Sequence, residues 1–133
     1  MNQEDKELLL KDLSARLPYD VLVLNKDGDV ESFTWQELKE FGDGYISKPY
    51  LRPMSSMTEE EKEELSHLLP KDWSVEIDKL NNFYFDMSPS IFMEIDVFLN
   101  IIDWLNKYHF DYRGLIKKGL AIAVTEENNP YKG

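Results

Sequence analysis

The sequence predicts an α+β fold. It reads as a single compact domain over residues 1–133, with a central long helix at about 89–108, shorter helices and a small, mostly antiparallel sheet. Three observations carry this. Apolar residues recur at helical spacing near the N-terminus and again over 91–105. Short runs rich in valine, phenylalanine and tyrosine are bracketed by turn residues, as strands are. Helical and strand-like stretches do not alternate regularly enough for a parallel sheet.

The elements follow in order. Residues 3–16 read as a helix, because Leu9, Leu13 and Leu17, with Leu10 beside them, give a helical stripe. Pro18 ends that helix and should hold Leu17 extended. Val21 to Leu24 reads as a strand, Asn25-Lys26-Asp27-Gly28-Asp29 as a turn with a two-residue Asp27-Gly28 loop, and Val30 to Phe33 as the return strand. Thr34 and Glu37 form a capping box with Phe33 and Leu38 at the staple positions, and Gly42 is placed to stop the short helix. Tyr45 to Met54 should be extended, given Pro49 and Pro53. A second capping box, Thr58 with Glu61, opens a helix from about Glu59 to Leu69, closed by Pro70. Trp73 to Ile77 and Phe83 to Phe85 have strand character.

The long helix starts at Ser88-Pro89, a cap residue followed by proline at the first helical position. Ile91, Ile95, Phe98, Leu99, Ile102 and Leu105 share one arc, and Asp96, Asn100, Asp103 and Lys107 form a narrow polar stripe. An arc that wide predicts a helix covered on most sides. Asp111 is placed to cap a further short helix, with Lys117 and Lys118 in its last turn and Gly119 at its stop. Leu120 to Val124 reads as a closing strand, and the tail 126–133 as loose.

Composition bounds the function. A chain of 133 residues, 42% hydrophobic and 13% aromatic, is long and apolar enough to fold around a core without staples. It contains no cysteine, so disulfides, thiolate metal sites and cysteine nucleophiles are excluded. The net charge of −11 repels phosphate backbones, which argues against direct nucleic-acid binding. The start, Met1-Asn2-Gln3-Glu4-Asp5, is wrong for a secretory signal, and no uncharged apolar run reaches the roughly 20 residues of a membrane span. Both point to a cytoplasmic protein with no membrane partner. The charge is uneven: two basic islands, 48–57 and 106–121, interrupt an otherwise acidic chain.

Several stretches invite a chemical reading. Asn25 to Glu31 places oxygen ligands at alternate positions like the start of a calcium loop, but Val30 stands where glycine is needed and Gln36 where the bidentate glutamate belongs. A plain hairpin fits better. The acidic run Glu59 to Glu64 suits a solvated helix start. Glu94 lies amid the apolar arc, where burial would raise its pKa. His109, Asp111 and Arg113 combine an imidazole, a carboxylate and a guanidinium, which suit acid–base and anion chemistry. Nothing nearby supplies a nucleophile, a phosphate loop or a metal cluster. The constellation reads as a capped corner, with no catalytic residue, no metal and no cofactor.

Three stretches carry a resemblance. Leu8 to Tyr19, Lys48-Pro49-Tyr50-Leu51-Arg52-Pro53-Met54-Ser55-Ser56-Met57-Thr58-Glu59-Glu60-Glu61, and His109-Phe110-Asp111-Tyr112-Arg113-Gly114-Leu115-Ile116-Lys117-Lys118-Gly119-Leu120-Ala121 occur in that order. Together they resemble a group of small uncharacterised proteins of gut Bacteroides and of the phages and mobile elements of those bacteria. Asp20 stands where that group often has glycine. The resemblance brings no activity with it.

The expected function is therefore a non-enzymatic, cytoplasmic interaction or accessory protein of bacterial, phage or mobile-element origin, with a protein as partner. One alternative is an acidic decoy that mimics nucleic acid to occupy a host DNA-binding protein. Another is a small-ligand enzyme using the His109 region. The candidate binding residues are Tyr50, Arg52, Trp104, His109, Tyr112 and Arg113, because both basic islands have the aromatic–arginine composition that hot spots favour. The segment 48–53 is expected to pack against the corner Trp104 to Arg113 as a stiff brace.

Overall fold

The computed structural model describes residues 2–39, 47–69, 74–77, 83–86 and 95–132. The first helix, α1 (Gln3–Arg16), is set by its ends. The Asn2 side chain accepts the Asp5 amide at 2.8 Å, and Glu4 and Asp5 sit in the first turn where the helix dipole favours acids. Its buried face is Leu9, Asp12, Leu13 and Arg16, an i, i+3, i+4, i+7 stripe. Leu17 is helical rather than extended, and the chain passes through a 3-10 turn, Leu17–Tyr19. The clash before proline is a preference only; here Leu17 packs on the core, and Asp20 reverses the chain at φ 55° instead.

Four of the described strands form one sheet. Strand β1 (Leu22–Leu24) pairs antiparallel with β2 (Val30–Ser32), Val23 facing Glu31. The loop between them has three residues, Lys26 to Gly28, not two. The Asn25 amide bonds the Asp29 carbonyl, and the Asn25 side chain accepts the amides of Asp27 and Asp29. Gly28, at φ 84°, supplies the left-handed residue such a loop needs. A short helix, α2 (Trp35–Lys39), follows. Strand β3 (Lys48–Leu51) lies antiparallel to β1 and parallel to β6 (Ile122–Ala123). After a 3-10 turn, Met54–Ser56, the helix α3 (Glu59–Ser66) opens on the expected capping box: Thr58 and Glu61 exchange backbone and side-chain bonds at 3.0 and 3.1 Å. It stops three residues before Leu69, continuing as tighter i→i−3 turns. Strands β4 (Ser74–Ile77) and β5 (Phe83–Asp86) form a separate antiparallel pair.

The helix α4 is described over Ile95–Lys107. The expected start at Ser88-Pro89, and Ile91 and Glu94, lie outside the described residues, as do Gly42, Tyr45, Pro70 and Trp73. The expectation that α4 is covered on most sides is overturned. Ile101, Trp104 and Leu105 are buried, but Ile95, Phe98 and Leu99 are 77%, 49% and 54% exposed. Periodicity reports which side of a helix is apolar, not what lies against it.

This is an α+β domain with two apolar clusters. One joins α1 to the four-stranded sheet through Leu9, Leu13, Val21, Val23 and Leu51, and also takes in Leu115 and Leu120. The other joins α3 to the end of α4 through Met54, Leu65, Ile101, Trp104 and Phe110. Among the described residues, no helix is long and apolar enough to cross a membrane.

Candidate functional site

The corner after α4 is built from two backbone motifs in series. In the first, the Phe110 amide bonds the Leu105 carbonyl and the His109 amide the Asn106 carbonyl, at 2.9 and 3.1 Å. That is a Schellman stop, in which the residue after the cap turns left-handed. His109 holds the left-handed position, at φ 64°, where glycine is usual. The second stop is Leu120 to Leu115 and Gly119 to Ile116, with Gly119 at φ 75°. In each the flanking apolar pair shares a cluster: Phe110 with Leu105, Leu120 with Leu115. The short helix expected over 112–118 is a run of turns instead. Asp111 is therefore not a helix N-cap, which would accept the amides two or three residues on; its buried carboxylate instead accepts those of Leu115 at 2.8 Å and Ile116 at 3.0 Å, and so holds the turns.

The brace is present, and it works through Arg52. The Arg52 amide bonds the His109 carbonyl at 2.8 Å, and the Asp111 amide bonds the Arg52 carbonyl at 2.9 Å, a parallel bridge across Phe110. The Arg52 guanidinium lies 4.2 Å from the Phe110 ring centre and forks onto both Glu61 oxygens at 2.6 and 2.7 Å. Burial pushes the Glu61 carboxyl up, but the hydrogen bonds from Arg52 and from the Thr58 amide outweigh it and hold the group below its ordinary value. Trp104 stacks on Phe110 at 5.7 Å, and its indole N–H donates to Glu64, which also accepts the Tyr108 hydroxyl.

The sequence singled out neither Asp12 nor Arg16, yet both are fully buried at the heart of this corner. Arg16 Nε donates to Asp12 at 2.7 Å, and Arg16 Nη2 donates to Asp12 at 3.2 Å and to the Phe110 carbonyl at 2.6 Å. The guanidinium lies 5.0 Å from the Tyr112 ring centre. Arg113 Nε approaches Asp12 at 3.4 Å as an ion pair without hydrogen-bond geometry. The Tyr112 hydroxyl donates to the buried Asn106 at 2.7 Å.

The tail is not loose. Tyr131 enters the sheet between β1 and β3. Continuing their register by one residue puts Leu22 opposite Tyr50, and the phenol fills that rung. The Leu22 amide donates to the Tyr131 oxygen at 3.1 Å, and the Tyr131 hydroxyl donates to the Tyr50 carbonyl at 2.7 Å. The ring stacks on His109 at 4.0 Å and 10°. Burial pushes the phenol up to about 12. Burial, then Arg16 and Arg52, push the imidazole down to about 4, so His109 is neutral at ordinary pH. Its buried Nδ1 has no hydrogen-bond partner.

Of the six sequence candidates, Arg52 and Trp104 lie on the Phe110 ring, His109 and Tyr112 flank Phe110 in the chain, Arg113 reaches Asp12, and Tyr50 meets the corner through its carbonyl and Tyr131. Tyr50 and Trp104 are buried; Arg52 and Arg113 are engaged with Glu61 and Asp12. Among the described residues, no three carboxylate or imidazole groups gather as a metal centre requires. No protein-family model, no curated protein and no solved structure matches the chain.

Proposed function

We propose that the chain is a non-enzymatic interaction or accessory protein that acts in the cytoplasm by binding another protein, of the kind that Bacteroides and their phages and mobile elements carry. One observation supports this above the rest. The side chains that resemble chemistry are already committed to architecture: Asp111 holds two backbone amides, Arg113 faces Asp12, and the His109 ring is stacked on Tyr131. What the chain presents to solvent instead includes bulky apolar side chains on α4, namely Ile95, Phe98 and Leu99.

The test uses α4 variants. Phe98→Asp and Leu99→Asp alter exposed positions, so melting temperature should stay within the small range typical of surface changes. A protein partner retained by the wild type from a lysate of the bacterium that carries it should be lost by both variants. Retention that ignores both variants but collapses between low and physiological salt would favour the acidic decoy instead, since that attraction is mostly charge. Retention unaffected by either change would sink both readings of the surface.

A further inference from the structure

We propose that the segment 125–132 is an acid-released latch, fastened to the sheet by Tyr131 and freed when His109 gains a proton.

The fastening is concentrated. Glu126, Glu127 and Asn128 are exposed. The bonds of Thr125 with Asn128, and of Asn129 with the Tyr131 amide, are local to the segment. Among the described residues, its hydrogen bonds to the sheet run through one hydroxyl, which relays Leu22 to Tyr50, and the same side chain's ring lies flat on His109 in the corner after α4. A segment held this way can open without melting the core, because local opening is governed by local contacts.

The release follows from what surrounds the imidazole. Burial disfavours its charge first, and then Arg16 at the end of α1 and Arg52 after β3 do, while Asp20 in the turn after α1 favours it and the Tyr131 ring lies over it from the tail. An imidazolium would be a third cation in the field of these two guanidiniums, with Asp20 as the acid that favours it. Its buried Nδ1 has no acceptor for a proton. The closed latch thus disfavours the charged ring and holds it near 4, against about 6.5 for a solvated histidine. Opening exposes the ring, so protons bind the open form more tightly and acid drives the latch open. From these two values the opening constant rises on the order of 30-fold between pH 7.5 and pH 5. It rises less if the two arginines stay close to the freed ring.

Native-state hydrogen exchange reads this directly, because the Leu22 amide donates to Tyr131. After correction for intrinsic rates, Leu22 protection should fall on the order of 10- to 30-fold from pH 7.5 to pH 5, while the amide of Leu13, inside α1, holds. In His109→Asn the fall should vanish. Asparagine tolerates the left-handed backbone and does not titrate, so the slope stays readable even if losing the stack lowers protection at every pH. The wild type alone is decisive if the variant does not fold. A change in Leu22 below about 3-fold, or a fall shared by Leu13, overturns the latch. The same slope in His109→Asn overturns the role of His109.

Discussion

Tyr131→Phe removes one oxygen and isolates two backbone groups. The Leu22 amide and the Tyr50 carbonyl both lose their partner in the sheet seam, and the phenylalanine ring still keeps them apart. Leaving a buried donor or acceptor unsatisfied costs about 1–3 kcal/mol each. Leu22 is only half-buried, so water can recover part of its share, and the expected loss is roughly 2–4 kcal/mol. For a chain of this size that is a fall in melting temperature of about 5–15 °C. Urea titration at neutral pH, with the slope unchanged, measures it. The difference should also depend on pH in one particular way. The folded phenol titrates near 12, against about 10 in the unfolded chain. Its stabilisation is therefore complete below pH 10 and lost as pH rises through 12, a change of roughly 3 kcal/mol that the phenylalanine variant cannot show. The gap between the two proteins should narrow over that window. A variant within 0.5 kcal/mol of wild type at neutral pH, or a gap that stays constant to pH 12, refutes the relay.

Three further outcomes are expected. Asp12→Ala leaves the fully buried Arg16 without its carboxylate and should cost about 3–5 kcal/mol by urea titration, whereas replacing both partners with apolar residues should cost less. Tyr50→Ala empties a buried position on β3 and should destabilise by roughly 2–4 kcal/mol in the same assay; an unchanged midpoint would mean the side chain is not part of the core. Millimolar calcium should leave the melting temperature where magnesium leaves it, because the Asn25 side chain is already bonded to two amides of its own hairpin.

What could be read from the chain was what is local. The box at Thr58 and Glu61 needs only four residues, and it forms as expected. The stop at Gly119 needs one glycine at the end of a basic turn, and it holds too, although the helix before it does not form. The stop at His109 carried no such signal, since a left-handed histidine is not announced by its type. Asp12 and Arg16 were legible in principle: with Leu9 and Leu13 they complete the same stripe of α1, so a charged pair stood on the face already assigned to the core. Tyr131 was not. Its partners Leu22 and Tyr50 lie 109 and 81 residues away, and no periodicity in the tail points to them. The exposed half of α4 failed for a similar reason, since a wide apolar arc is compatible with a buried helix and with one whose first turns stand clear of the core.

The two clusters raise the question of what fixes them relative to each other, because apolar contact alone is not directional. The answer lies in the polar groups between them. Arg16 belongs to the stripe of α1 that packs on the first cluster, and its guanidinium donates to the carbonyl of Phe110, a residue of the second. Arg52 follows β3, whose Leu51 lies in the first cluster, and it bonds both sides of Phe110 through its backbone while its side chain covers the ring. Phe110 is thus held by backbone bridges and by two guanidiniums, each matched to its own carboxylate, Asp12 or Glu61. A leucine at position 16 would add apolar area but leave that carbonyl without its donor. The buried pair therefore does more for where the corner sits than for how stable the chain is, which is the role buried charges serve best when their net contribution to stability is small.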